Sequence, residues 1–115
     1  MRTLFKGGTV ITGRGPKRAD VLVEGEKVRQ VGRLILTPAD RTVDVEGCLL
    51  FPGFIDAHIH LESSLVSPAE FARAVIPHGT TTVITDPHEI TNVMGTDGID
   101  YMFQATEGLP IDVRF

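Results

Sequence analysis

The chain has 115 residues, 42% of them hydrophobic and 23% charged, with a net charge of −4. That length gives a prior of one domain and leaves no room for a complete eight-stranded α/β barrel, which needs roughly 200 residues or more. The mild acidity argues against the clustered basic footprint of a nucleic-acid binder, and no apolar run reaches the roughly 18 residues of a membrane span.

The amino terminus, Met1 to Gly8, lacks the apolar core of a signal peptide. The single cysteine, Cys48, cannot form an internal disulfide, which suits a reducing compartment and predicts a cytoplasmic location. No activating partner adjoins Cys48, so it reads as a small buried apolar residue. Residues 1–50 are short β-branched runs, Thr9–Thr12, Val21–Val23, Val28–Val31 and Val43–Val45, separated by turn residues. This spacing predicts a small antiparallel sheet or half-sandwich. Residues 34–42 read as a loop, with Pro38 excluding a central strand position.

From residue 49 the elements lengthen. Leu49-Leu50-Phe51 runs through Pro52-Gly53 into Phe54-Ile55, a pattern of strands buried on both faces. Ser67, Pro68 and Glu70 form a capping box with proline at the first helical position. Phe71 with Val75 and Ala72 with Ile76 give that helix an apolar stripe, and Pro77 and Gly79 end it. Thr80 to Thr85 reads as the next strand. A second helix is predicted from about Thr96 to Glu107, stopped by Gly108, and Ile111 to Phe115 begins a third strand. Strands alternating with helices predict a parallel βαβαβ sheet.

Chemistry gathers at the strand ends. His58 and His60 are separated by one residue, so in an extended strand they point the same way. Their Cβ atoms then lie roughly 6–7 Å apart, close enough for two imidazoles to hold one divalent ion. The second cluster, Asp86-Pro87-His88-Glu89, follows the next strand. Each of its ionisable groups could bind metal, orient a metal-bound histidine or contact substrate; Asp-Pro is also an ordinary turn initiator. Glu62 lies two residues beyond His60, followed by Ser63 and Ser64, and faces either the site or solvent. His78 follows a helix, where a cation at the carboxyl end is sufficient structural reason for it.

Pro52-Gly53-Phe54-Ile55-Asp56-Ala57-His58-Ile59-His60 resembles the entry strand of the amidohydrolase superfamily, and Lys6–Val10 and Ala19–Val28 resemble its N-terminal β-sandwich segment. His58–Ser64, Ile76–Ile84, Asp86–Ile90 and Gly108-Leu109-Pro110 are similar, within that superfamily, to the bacterial adenine deaminases. The resemblance implies an α/β chain: residues 1–50 part of a small β-sandwich, and residues 51–115 the first βα units of a TIM-like barrel, truncated. It implies hydrolysis of adenine to hypoxanthine and ammonia by the full-length protein, with adenine and water as the small-molecule partners. It implies a divalent metal, Mn2+, Fe2+ or Zn2+, at a binuclear site. His58 and His60 carry over as metal ligands and His88 as a further one, with Glu62, Asp86 and Glu89 as catalytic or metal-orienting groups. Further ligands would come from later strands, and a homo-oligomer is one reading of the full-length protein. Two other functions compete: a ring-opening cyclic amidohydrolase of hydantoinase or dihydroorotase type, and a non-catalytic metal-binding or interaction module.

Overall fold

The computed structural model describes all residues, 1–115, and divides into two compact units, Met1–Pro52 and Gly53–Phe115.

In the first unit the β-branched runs become seven strands: β1 Arg2–Lys6, β2 Thr9–Thr12, β3 Gly15–Arg18, β4 Asp20–Glu24, β5 Lys27–Gly32, β6 Arg41–Asp44 and β7 Leu49–Leu50. They make two small sheets, ordered β5-β4-β1-β6 and β3-β2-β7. Neither is purely antiparallel. The hairpins β2–β3 and β4–β5 and the non-adjacent pair β1–β4 are antiparallel, but β6 returns parallel to β1 and β7 parallel to β2. The expectation of an antiparallel sheet therefore holds for β1–β4, β2–β3 and β4–β5 but not for β6 and β7, which return in the same direction as the strands they join. Leu4, Leu22 and Ile35 form the buried core, with Ala39 against it. Ile35 shows that the loop after β5 dips inward. Full burial of such an aliphatic side chain stabilises by about 1.5–3 kcal/mol, which anchors a segment with no ladder of its own. Cys48 is exposed, contrary to the sequence expectation. It sits at the end of a turn, its N–H donating to the Val45 carbonyl, so its side chain belongs to no packed face.

The second unit contains β8 Phe54–Ile59, a 3₁₀ turn at Glu62–Ser64, α1 Pro68–Val75, a 3₁₀ turn at Ile76–His78, β9 Thr80–Thr85, α2 His88–Met94, α3 Thr96–Thr106 and β10 Asp112–Arg114. All three strands are parallel, in the order β10-β9-β8. The apolar run from Leu49 to Ile55 is thus two strands in two sheets, parted at Pro52-Gly53.

Helix α1 starts as its sequence dictates. The Ser67 side chain accepts from the Glu70 N–H at 3.4 Å, and Pro68 occupies the first turn. Its exit passes through Gly79, whose φ of +98° suits glycine. A Cβ there would also lie 3.1 Å from the Phe54 ring. The core lies between β9 and the helices: Val83 is fully buried among Leu61, Phe71, Ala72, Met102 and Ile111.

β8 departs from the expectation of burial on both faces. Phe54 and Ile55 are 52% and 64% exposed, and Ile84 of the central strand is 44% exposed, because the helices bury the sheet around Val83 and leave these side chains uncovered. β8 and β10 are the two edges of this sheet. No helix of the chain is long and apolar enough to cross a membrane.

Candidate metal centre

The carboxyl ends of β8 and β9 lie side by side, with Ile59 in register with Thr85. This pairing sets His60 beside Asp86. The His60 Nδ1 lies 2.9 Å from the Asp86 backbone oxygen. A carbonyl can only accept, so Nδ1 carries the proton and Nε2 keeps its lone pair for a ligand. The same hydrogen bond is the largest cause raising the His60 pKa above its ordinary value of 6.5. The negative charges of Glu89, Asp86 and Glu62 act in the same sense, and desolvation opposes them.

His60, Asp86 and His88 place one ligand atom each within 4.8 Å of one another. The His60 and His88 rings meet edge to face with centroids 4.6 Å apart. Asp86 Oδ2 lies 3.2 Å from His88 Nδ1. His58 flanks the group, its centroid 4.9 Å from that of His60. Two imidazoles and a carboxylate suit first-row divalent ions such as zinc, iron or manganese. A ligating histidine usually has its other ring nitrogen tied to a carbonyl or carboxylate, and His60 meets that condition. The residues present fit a divalent cation.

The other two carboxylates make different contacts. Glu62 Oε1 accepts from the backbone N–H groups of Glu89 and Ile90, at 3.2 and 3.3 Å. Glu89 Oε2 accepts from the Ser63 hydroxyl at 2.5 Å. His78 lies in the 3₁₀ turn before β9, at the opposite end of that strand from Asp86.

Asp56 is a participant that sequence reading missed. The β8–β9 register shifts between Asp56 and Ile59, an irregularity of the kind that frees a ladder amide and re-aims side chains near sites. Asp56 Oδ1 accepts the His58 N–H at 3.2 Å. The available signal was a carboxylate inside an apolar strand, two residues before His58 and so on its face.

Known proteins align with this architecture. Residues 49–115 match the amidohydrolase family model, and the chain belongs to that family. It is 57% identical over 99 residues to an adenine deaminase of Desulfatibacillum aliphaticivorans, a match covering 86% of this chain and 17% of that protein. Among solved structures it resembles a D-hydantoinase with a TM-score of 0.77 at 26% identity, over 98% of this chain and 26% of that one. It also resembles D-aminoacylase, described with a binuclear metal center, with a TM-score of 0.62 at 39% identity, over 72% of this chain and 18% of that one. The chain thus spans about a sixth of the length of the adenine deaminase it matches.

Proposed function

We propose that the chain is part of a metal-dependent adenine deaminase that hydrolyses adenine to hypoxanthine and ammonia in purine salvage. The observation supporting this reading is the 57% identity to an adenine deaminase across 86% of the chain. Residues 1–50 then belong to a small β-sandwich, and residues 51–115 open a TIM-like barrel whose remaining ligands come from later strands.

In this reading His58, His60 and His88 help hold a divalent ion, Mn2+, Fe2+ or Zn2+, at a binuclear centre. When bound, the ion brings the pKa of water down towards about 7. His60 would hold the ion through Nε2, since Nδ1 is engaged by the Asp86 carbonyl. Asp86 and Glu89 would take the proton from attacking water and return protons to the ring nitrogen and the departing amine. Glu62 completes the acidic surround. A C6–O bond forms as the C6–N bond breaks, with ammonia leaving. The full-length protein works in the cytoplasm on a small molecule and water, as a homo-oligomer, with no nucleic-acid or membrane partner.

The test is an assay of the full-length, metal-loaded protein with adenine, hydantoin and dihydroorotate. Stoichiometric hypoxanthine and ammonia from adenine is the expected result. A ring-opening amidohydrolase is the second reading, favoured by the likeness to D-hydantoinase. Opening of hydantoin with adenine untouched would establish it instead.

A further inference from the structure

Helix α2 begins without a cap of its own. Pro87 stands at the N-cap and offers no side-chain acceptor, although the first amides of any helix lack intrahelical partners. The acceptor comes from the other strand end. Glu62 Oε1 takes the N–H groups of both Glu89 and Ile90. A carboxylate there also meets the positive end of the helix dipole, and hydrogen bonds to a charged acceptor are the stronger kind.

This contact does not stand alone. From the same short segment His60 reaches the Asp86 carbonyl and Ser63 reaches the Glu89 carboxylate. Residues 60, 62 and 63 therefore hold residues 86, 89 and 90 at successive points. Asp86 is the first of those points, and His88 lies between it and Glu89. The second Glu62 oxygen, Oε2, is buried and has no hydrogen-bond partner. Glu62 borders an apolar hollow of about 280 Å³ lined by Leu61, Leu65, Val66, Ile90 and Met102 among others. One oxygen is committed to backbone amides and the other is shielded from water, which leaves Glu62 poorly placed to shuttle a proton.

We infer that Glu62 is a positioning residue: its carboxylate caps α2 across the strand ends and thereby sets Asp86 and His88 against His60. The inference rests on the metal-centre reading of these residues and assigns Glu62 a role other than proton transfer. Glutamine at this position keeps an oxygen acceptor at the same reach, whereas alanine keeps none.

The experiment uses the full-length protein as wild type, E62Q and E62A. Mn2+ affinity is measured by competition with a chelator, and amide hydrogen exchange is followed at Glu89 and Ile90. E62A is expected to weaken Mn2+ binding about 10- to 100-fold, the usual effect of removing a group that orients a ligand. It should expose both amides to exchange, and its turnover should rise as Mn2+ is added. E62Q should keep both amides protected and bind Mn2+ within about threefold of wild type, the rescue that an acceptor role requires. If E62A does not fold, E62Q decides alone. The inference is overturned if E62A binds Mn2+ as wild type does. It is equally overturned if E62Q keeps its metal and amide protection but loses turnover that added Mn2+ does not restore, because Glu62 would then act on protons. Wild type that binds Mn2+ but leaves adenine intact would sink the proposed activity and leave the positioning role to be read from affinity and exchange.

Discussion

His60 donates its Nδ1 proton to the backbone carbonyl of Asp86 at 2.9 Å, joining the ends of two parallel strands through residues 26 positions apart. The contact selects the tautomer that leaves Nε2 as the donor atom. Replacing His60 by alanine removes both the donor and the tie. Metal affinity of the full-length protein should fall by more than about 100-fold, exceeding the loss typical of orienting groups. Calorimetric titration with Zn2+ or Mn2+ checks this, and unchanged affinity in the variant would rule out His60 as a ligand.

Asp56 bears on His58 from the backbone. Asp56→Ala leaves the His58 N–H without its acceptor at the strand irregularity and should cost about 1 kcal/mol of stability. Asp56→Asn retains a carbonyl oxygen and should cost less. Urea denaturation of the two variants, compared at equal slope, measures the difference. Equal losses would mean that the charge matters and the hydrogen bond does not.

The join between α2 and α3 is tight. A Cβ on Gly98 would lie 2.8 Å from the Ile90 carbonyl oxygen. Because that obstacle is backbone, Gly98→Ala has to move a helix, at an expected cost of about 1–3 kcal/mol. The displaced helix carries His88, so metal affinity should drop together with thermal stability. A variant with lower stability and intact affinity would show that the strain relaxes away from the site.

Ser67→Ala removes the α1 cap. The hydrogen bond to Glu70 is long at 3.4 Å, so the expected loss lies near the lower end of the range for caps, about 0.5–1 kcal/mol. Thermal denaturation reads it, and Ser67→Asp should recover most of the loss.

Residues 1–115 expressed alone should not turn over adenine even with Mn2+ or Zn2+ supplied. The reading assigns further ligands to later strands, and this chain spans 17% of the matched adenine deaminase. Hypoxanthine release above background from the purified segment would overturn the need for those strands.

Local chemistry made several elements readable. Ser67-Pro68 and Glu70 mark the start of α1, and the β-branched run Thr80 to Thr85 marks β9, because caps and branched side chains act within a few residues. Helix α2 escaped notice because its acceptor, Glu62, is 27 residues from the first amide it receives, while its own first residues read as a turn. The parallel pairings of β6 with β1 and β7 with β2 escaped for a similar reason: partners are chosen by tertiary geometry. His58, His60, Asp86 and His88 were visible as chemistry at strand ends. Their closeness was not, since it depends on the Ile59–Thr85 register. Asp56 shared a face with His58 by spacing, but its hydrogen bond to the His58 N–H and that of Ser63 to Glu89 are set by local geometry that spacing does not encode.

The pairing of β8 with β9 also has a consequence in time. Parallel neighbours meet only after the segment between them has been laid down, and contacts of long sequence separation form slowly because loop closure must precede them. His58 and His60 therefore leave the ribosome well before Asp86 and His88 can join them. During that interval the two imidazoles lack the neighbours that the finished sheet gives them, so the cluster of His60, Asp86 and His88 exists only once β9 has paired with β8.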